Sequence, residues 1–253
     1  MNRKAAFFIA AMMAVCVLSA FAGEDADSVE GKVAECLKTV KSKEALVLGP
    51  TGKKAAMDFL AANAEKSAGP ILDELGDAKD VGTRLWLLLT VNNFKDASVF
   101  NSGAPKILAL LDDEHFGVKY WAIKTVAKMK LSDAVKPLTA MLESKVVVLR
   151  REAAVALGHI NDTAVVGAVA KLLKDADESV RAAAAEALGL LKAAGAKGQL
   201  IEALKDEKLV VQQSAVAALE AITGKSFNLH RADWIGAPEE RQKKINDWVK
   251  QNS

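Results

Sequence analysis

The chain has 253 residues, with 34 Lys and Arg against 32 Asp and Glu, and it is 51% apolar by type but only 5% aromatic. That balance excludes a disordered tail, five Pro and 16 Gly exclude a collagen-like or linker composition, and two Cys exclude a disulfide scaffold. A formal charge of +2 exerts no strong pull on nucleic acid.

The basic start Met1-Asn2-Arg3-Lys4 leads into an apolar run from Ala5 to about Ala20, closed by Ala20-Phe21-Ala22. A positive n-region, a short h-region and small residues at −3 and −1 predict a secretory signal peptide over residues 1–22, with cleavage before Gly23. The run is shorter than a comfortable bilayer span, although an uncleaved anchor is the alternative. Val15 before Cys16 argues against a lipoprotein. Removing residues 1–22 takes away Arg3 and Lys4, so the remaining chain has 32 basic and 32 acidic residues and a formal charge of zero. The expected location is exported, periplasmic or extracellular, with no stable membrane span after cleavage. Cys36 is then the sole thiol, in the stripe Val33-Ala34-Glu35-Cys36-Leu37. Core packing is the preferred reading, against a reactive thiol or a link between chains.

Residues 23–101 read as degenerate helical repeats. Val33–Val40 and Ala55–Ala64 form one amphipathic pair, and Ile71–Leu75 with Thr83–Val91 another. Gly49-Pro50-Thr51-Gly52-Lys53-Lys54 lacks the spacing and the hydroxyl of a phosphate-binding loop and reads as a turn before a helix.

Residues 102–224 repeat at intervals of 31 residues. Val118, Leu149, Val180 and Val211 align, as do Ala122, Ala153, Ala184 and Ala215. The same step carries Val126 to Leu157, Leu188 and Leu219, Ile107 to Leu138, Val169 and Leu200, and Leu111 to Leu142, Leu173 and Leu204. Fixed-period self-similarity of this kind marks a stacked array. Within a unit, Val166, Val169, Leu172 and Leu173 make one helical stripe. Lys174–Ser179 is a polar turn with N-cap candidates Asp177 and Ser179, and Val180–Leu191 makes a second stripe. Each unit is therefore helix, turn, helix, with about ten to twelve residues per helix. The Ala column lets helix axes approach while the Leu columns fill the adjacent layer. Pro70, Pro105 and Pro137 are expected at or near the starts of first helices.

Residues 173–189, Leu-Lys-Asp-Ala-Asp-Glu-Ser-Val-Arg-Ala-Ala-Ala-Ala-Glu-Ala-Leu-Gly, resemble the consensus of HEAT repeats, in the short subgroup called PBS-lyase HEAT-like. The resemblance implies an all-α fold, an ARM/HEAT-type α–α superhelix whose second helices line the concave side. It also implies a ladder of turn Asp and helix-start Arg residues. Here those columns read Asp113, Ser144, Asp175, Asp206 and Lys119, Arg150, Arg181, Gln212. The middle units match best, so stitching is expected to weaken towards both ends, and exposed pairs would add little.

Residues 225–253 are a capping tail. Gly224 is a C-cap candidate, and Pro238-Glu239-Glu240-Arg241 opens a helix carrying Ile245, Trp248 and Val249 on one stripe. The tail is similar to the closing segment of exported bacterial HEAT-repeat proteins.

Chemistry is sparse. His115, His159 and His230 lack partners at ligating spacing, no His-Glu dipeptide or Gly-x-Ser-x-Gly elbow occurs, and no catalytic residue, metal or cofactor is expected. The second-helix row runs from Tyr120, Lys124 and Lys128 through Arg151, Val155 and His159 to Ala182, Glu186 and Leu190, then Gln213, Ala217 and Ala221. That is not the basic row that nucleic acid needs. Tyr120, Trp121, Lys124, Arg151 and His159 are the candidate partner-binding residues, because large aromatics and Arg are enriched in hot spots. Packing of Trp121 between units is the competing reading. The expected function is a non-enzymatic scaffold that holds a protein or peptide partner. The alternative is a small enzyme or chromophore-handling protein with a site in the groove.

Overall fold

The structure, a computed structural model, describes residues 28–41, 45–229, 233–234 and 236–252. The leader expected over residues 1–22, with Cys16, Gly23 and His230, lies outside them. The fold is all-α, with no strand among the described residues. Two compact units, residues 1–125 and 126–253, divide the chain, and each is taken by itself.

In the first unit the expected degenerate pairs are helices α1 (Val29–Lys41) with α2 (Ala45–Ala62), and α3 (Ala64–Asp77) with α4 (Val81–Asn93). Val33, Leu37 and Val40 of α1 and Ile71, Leu72 and Leu75 of α3 are buried at helical spacing. Cys36 is buried beside them, and burial pushes its thiol up to about 11. Asp80 caps α4 by accepting a hydrogen bond from the Thr83 N–H at 3.0 Å. Residues 49–54 are not a turn. They lie inside α2, and the buried Lys53 ammonium donates to the Val40 carbonyl at 3.0 Å, 4.3 Å from the centre of the Trp86 ring. The helix-end carbonyl and the aromatic face that this cation covers explain why a buried lysine is tolerated there. Pro70 also departs from expectation. It lies within α3 and on its exposed side, where the carbonyl left without a donor can be hydrated.

The regular units follow. First helices are shorter than the period suggests, because each α-helical stretch is preceded by a 3-10 turn and two of the four are also followed by one. They are α5 (Ala104–Ala109), α7 (Val135–Met141), α9 (Val166–Lys171) and α11 (Lys197–Ala203). The tighter turns complete the apolar stripe while using few residues. Second helices are α6 (Phe116–Met129), α8 (Val147–Ile160), α10 (Glu178–Leu190) and α12 (Leu209–Thr223). All five repeated apolar columns are buried. Pro105 stands at the N-terminus of α5 and Pro137 near that of α7.

Two glycines set the spacing of second helices in the second unit. A Cβ on Gly158 would lie 2.8 Å from Ala187 Cα, and one on Gly189 would lie 2.9 Å from Ala218 Cα. They are one repeat apart, so α8, α10 and α12 approach through the same small contact twice.

The ladder is real and is better buried than its surface turns suggested. Arg150 grips Asp175 with both Nε and Nη2 at 2.8 Å while its Nη1 donates to the Ser144 carbonyl at 2.8 Å. Arg181 repeats the arrangement with Asp206, at 2.7 and 3.0 Å, and with the Asp175 carbonyl at 2.9 Å. Side-chain exposure is only 10–15% for the Arg150 pair and 12% for each partner of the Arg181 pair. These pairs are thus bidentate and largely shielded, unlike solvated surface bridges. The guanidinium of Arg150 holds the Asp175 carboxyl below its ordinary pKa, and Arg181 does the same for Asp206. Stitching also extends into the first unit, where Arg84 Nε sits 2.8 Å from Asp113 Oδ2.

Past the last unit, Gly224 closes α12 with φ +70°, and α13 (Pro238–Asn252) forms the cap. Ile245 and Trp248 are buried, and Trp248 stacks on Phe227 with ring centres 3.8 Å apart. Lys197 of α11 donates to the Asn252 carbonyl, tying the end of the cap to the last first-helix.

Candidate partner-binding surface

The second helices bury one face and leave another open, and the open face carries the candidate residues. In the first unit the turn before α6 is held from two sides. Asp113 faces Arg84, and its Oδ1 also accepts the His115 N–H at 2.8 Å. From this anchored turn α6 projects Phe116, Tyr120 and Lys124 at successive steps of four, which places them on one stripe. Tyr120 lies 6.4 Å from Phe116 and meets Trp121 edge to face at 5.4 Å. The Lys124 ammonium stands 5.9 Å from the Tyr120 ring centre. Trp121 is half-buried, and below it a polar contact fixes the helix: Asn92 of α4 donates to Thr125 Oγ1 at 2.5 Å.

Phe116 was not among the sequence candidates. It is 47% exposed, the largest exposed apolar side chain on this stripe, and its position four residues before Tyr120 was the available signal.

In the second unit Arg151 and His159 lie eight residues apart on the same side of α8, with His159 exposed. Arg151 is not a free cation. Its Nε and Nη2 both reach Glu152 Oε1, at 3.0 and 2.6 Å, and Glu152 is buried. Within the first unit Tyr120, Trp121 and Lys124 form one cluster, and in the second unit the charge of Arg151 is partly neutralised by Glu152.

Further along this face, between α10 and α12, a trough of about 440 Å³ is lined by Glu186, Gly189, Leu190, Gln213, Ala217 and Ala221 among others. It exists because the lining is small. The Gly189–Ala218 contact brings the helices together, and Ala217 and Ala221 leave the floor low. Among the described residues no group of three or more His, Cys, Asp or Glu is placed to hold a metal ion. No described helix is long and apolar enough to cross a membrane.

The family model for HEAT repeats matches residues 143–220. Over those residues the chain is similar to HEAT repeats. The matched HEAT segment spans α8 to α12, with the Gly158 and Gly189 contacts and both buried rungs inside it. Among solved structures, YibA of E. coli is similar over 92% of each chain, at 17% identity and a TM-score of 0.56. A designed armadillo-repeat protein in complex with the peptide (KR)4 is similar over 76% of this chain and 99% of its own, at 20% identity and a TM-score of 0.54. The complex of CpcE and CpcF of phycocyanin lyase from Nostoc sp. PCC7120 is matched over 62% of this chain and 65% of that one, at 20% identity and a TM-score of 0.55. At these identities the likeness is one of fold, the α–α solenoid of HEAT and armadillo repeats. No curated protein matches the chain.

Proposed function

We propose that the chain is an exported, non-enzymatic HEAT scaffold that holds a protein or peptide partner on the open face of its second helices. The observation that carries this reading is the half-exposed aromatic cluster of Phe116, Tyr120 and Trp121 with Lys124 beside it. Rigid aromatics contribute contact area at small entropic cost, and their polar tips fix orientation. The repeat supplies the second requirement, helices that lean on their neighbours within each compact unit, as α8, α10 and α12 do. The designed armadillo protein, whose occupant is a peptide, gives a precedent for this use of the fold. Export rests on the composition of residues 1–22.

The test replaces Phe116, Tyr120 and Lys124 together by Ala. Arg151 is kept, because its removal would take a cation away from the buried Glu152 carboxylate. Cross-linking in intact producing cells followed by mass spectrometry should identify a polypeptide that the triple variant loses, with little change in melting temperature. Equal capture by parent and variant refutes the surface. A stoichiometric chromophore or metal in the purified native protein refutes the non-enzymatic part. N-terminal sequencing should begin at Gly23, and an intact Met1 refutes the cleaved leader.

A further inference from the structure

The trough between α10 and α12 lies away from the aromatic cluster in sequence and has a chemistry of its own. Leu190 lines it and is 40% exposed. Ala217 and Ala221 make an apolar floor, and Gln213 offers an exposed amide that can both donate and accept. Glu186 stands at its edge as the one charged residue of the lining. Its carboxylate is exposed and makes no hydrogen bond or ion pair among the described residues, in contrast to the carboxylates of Asp175 and Asp206. Arg151 on α8 is already committed to Glu152. An open trough of about 440 Å³ with an apolar floor fits aliphatic side chains, and an unpaired carboxylate at its rim fits a cation next to them.

We infer that this trough is a specificity subsite for a polypeptide segment in which a Lys or Arg neighbours a Leu, Ile or Val. The aliphatic side chain lies on Ala217 and Ala221 against Leu190, the cation pairs with Glu186, and Gln213 hydrogen-bonds the segment's backbone. The inference deepens the scaffold reading and rests on it, but it concerns a different set of residues. Segments with acidic residues at the same places are rejected, because Glu186 would face a like charge with no compensating cation in the lining.

The experiment uses the full chain and two fluorescein-labelled dodecapeptides, one alternating Leu and Lys and one alternating Leu and Glu, read by fluorescence anisotropy. The Leu-Lys peptide should bind and the Leu-Glu peptide should not. Glu186→Lys should weaken the Leu-Lys peptide by about tenfold or more and admit the Leu-Glu peptide. Ala217→Phe, which fills the trough from an exposed position and spares the core, should weaken the Leu-Lys peptide by a similar factor while Glu186 remains. Absence of Leu-Lys binding overturns the inference. So does Leu-Lys binding that neither variant changes, for then the peptide sits elsewhere. If that binding is instead lost on replacing Phe116, Tyr120 and Lys124, the scaffold reading stands and this subsite falls.

Discussion

Gly189 is a position where two physical effects predict opposite signs. It lies inside α10, so Gly189→Ala gains up to about 1 kcal/mol of intrinsic helix propensity. The new Cβ, however, would lie 2.9 Å from Ala218 Cα and 3.1 Å from Ala218 Cβ. Carbon atoms pack favourably at about 3.5–4.0 Å. The obstructing atoms are backbone and a single methyl, so no rotamer change relieves them, and α10 and α12 must move apart. Overpacking costs about 1–3 kcal/mol, and with backbone in the way the upper half of that range, about 2–3 kcal/mol, applies, which leaves a net loss of about 1–2 kcal/mol after the propensity gain. For a chain of this size that lowers Tm by about 2–8 °C. The matched control is Gly167→Ala in α9, exposed and with nothing within 4 Å of the added Cβ. It should leave Tm unchanged or raise it slightly. Thermal melts followed by circular dichroism decide the matter. A Gly189→Ala variant as stable as the parent refutes the argument that these glycines set helix spacing.

The buried rungs give a second outcome. Asp206→Asn leaves the Arg181 guanidinium shielded and without its carboxylate, and should cost about 1–3 kcal/mol in urea unfolding. A change within error would mean that the pair is effectively solvated. The same pairs set a pH dependence. Arg150 and Arg181 lower the folded-state pKa of Asp175 and Asp206, so the native chain binds fewer protons than the unfolded one as the pH falls. Their stabilisation is full above the ordinary carboxylate range and is lost below about pH 4. The Asp175→Asn, Asp206→Asn double variant should show a flatter acid limb in Tm against pH, and an unchanged limb contradicts the assignment. Cys36, with its thiol raised to about 11 by burial, should resist iodoacetamide at pH 8 until denaturant is added. Rapid labelling of the folded chain, or disulfide-linked dimers, would place it at the surface instead.

The repeat period was legible because it is written in side chains that must be buried. Ala122, Ala153, Ala184 and Ala215 keep one volume, and the Leu and Val columns keep another, so packing itself prints the pattern. What the pattern hid was local. Lys53 looks like a turn residue because its neighbours are Gly, Pro and Thr, yet a cation over Trp86 is a tertiary partnership across 33 positions that no window contains. Pro70 looks like a helix start because proline is usually placed there. The rung between Arg84 and Asp113 spans 29 residues where the regular rungs span 25, so a search in phase with the array passes over it. The trough was hidden for a different reason. Its residues read as small and neutral, and emptiness is a property of what two adjacent helices both lack.

The end of the ladder shows how a one-dimensional stack is brought to a stop. Gln212 occupies the Arg column, and its Nε2 donates to the Asp206 carbonyl at 2.6 Å, the same six-residue reach that Arg150 makes to Ser144 and Arg181 makes to Asp175. It keeps the bond to its own turn and drops the one that would reach forward. An arginine there would carry a guanidinium towards the 25-residue step, where Ala237 stands instead of an Asp, and a shielded cation without a carboxylate is destabilising. The amide satisfies the carbonyl with no charge to neutralise. Forward contact passes instead to Glu220, which accepts from the Phe227 N–H at 2.7 Å and seats Phe227 for its stack on Trp248. Electrostatic continuation is thus exchanged for an apolar lid at one residue, so the departure of Gln212 from the repeat consensus is part of the termination rather than decay of the pattern.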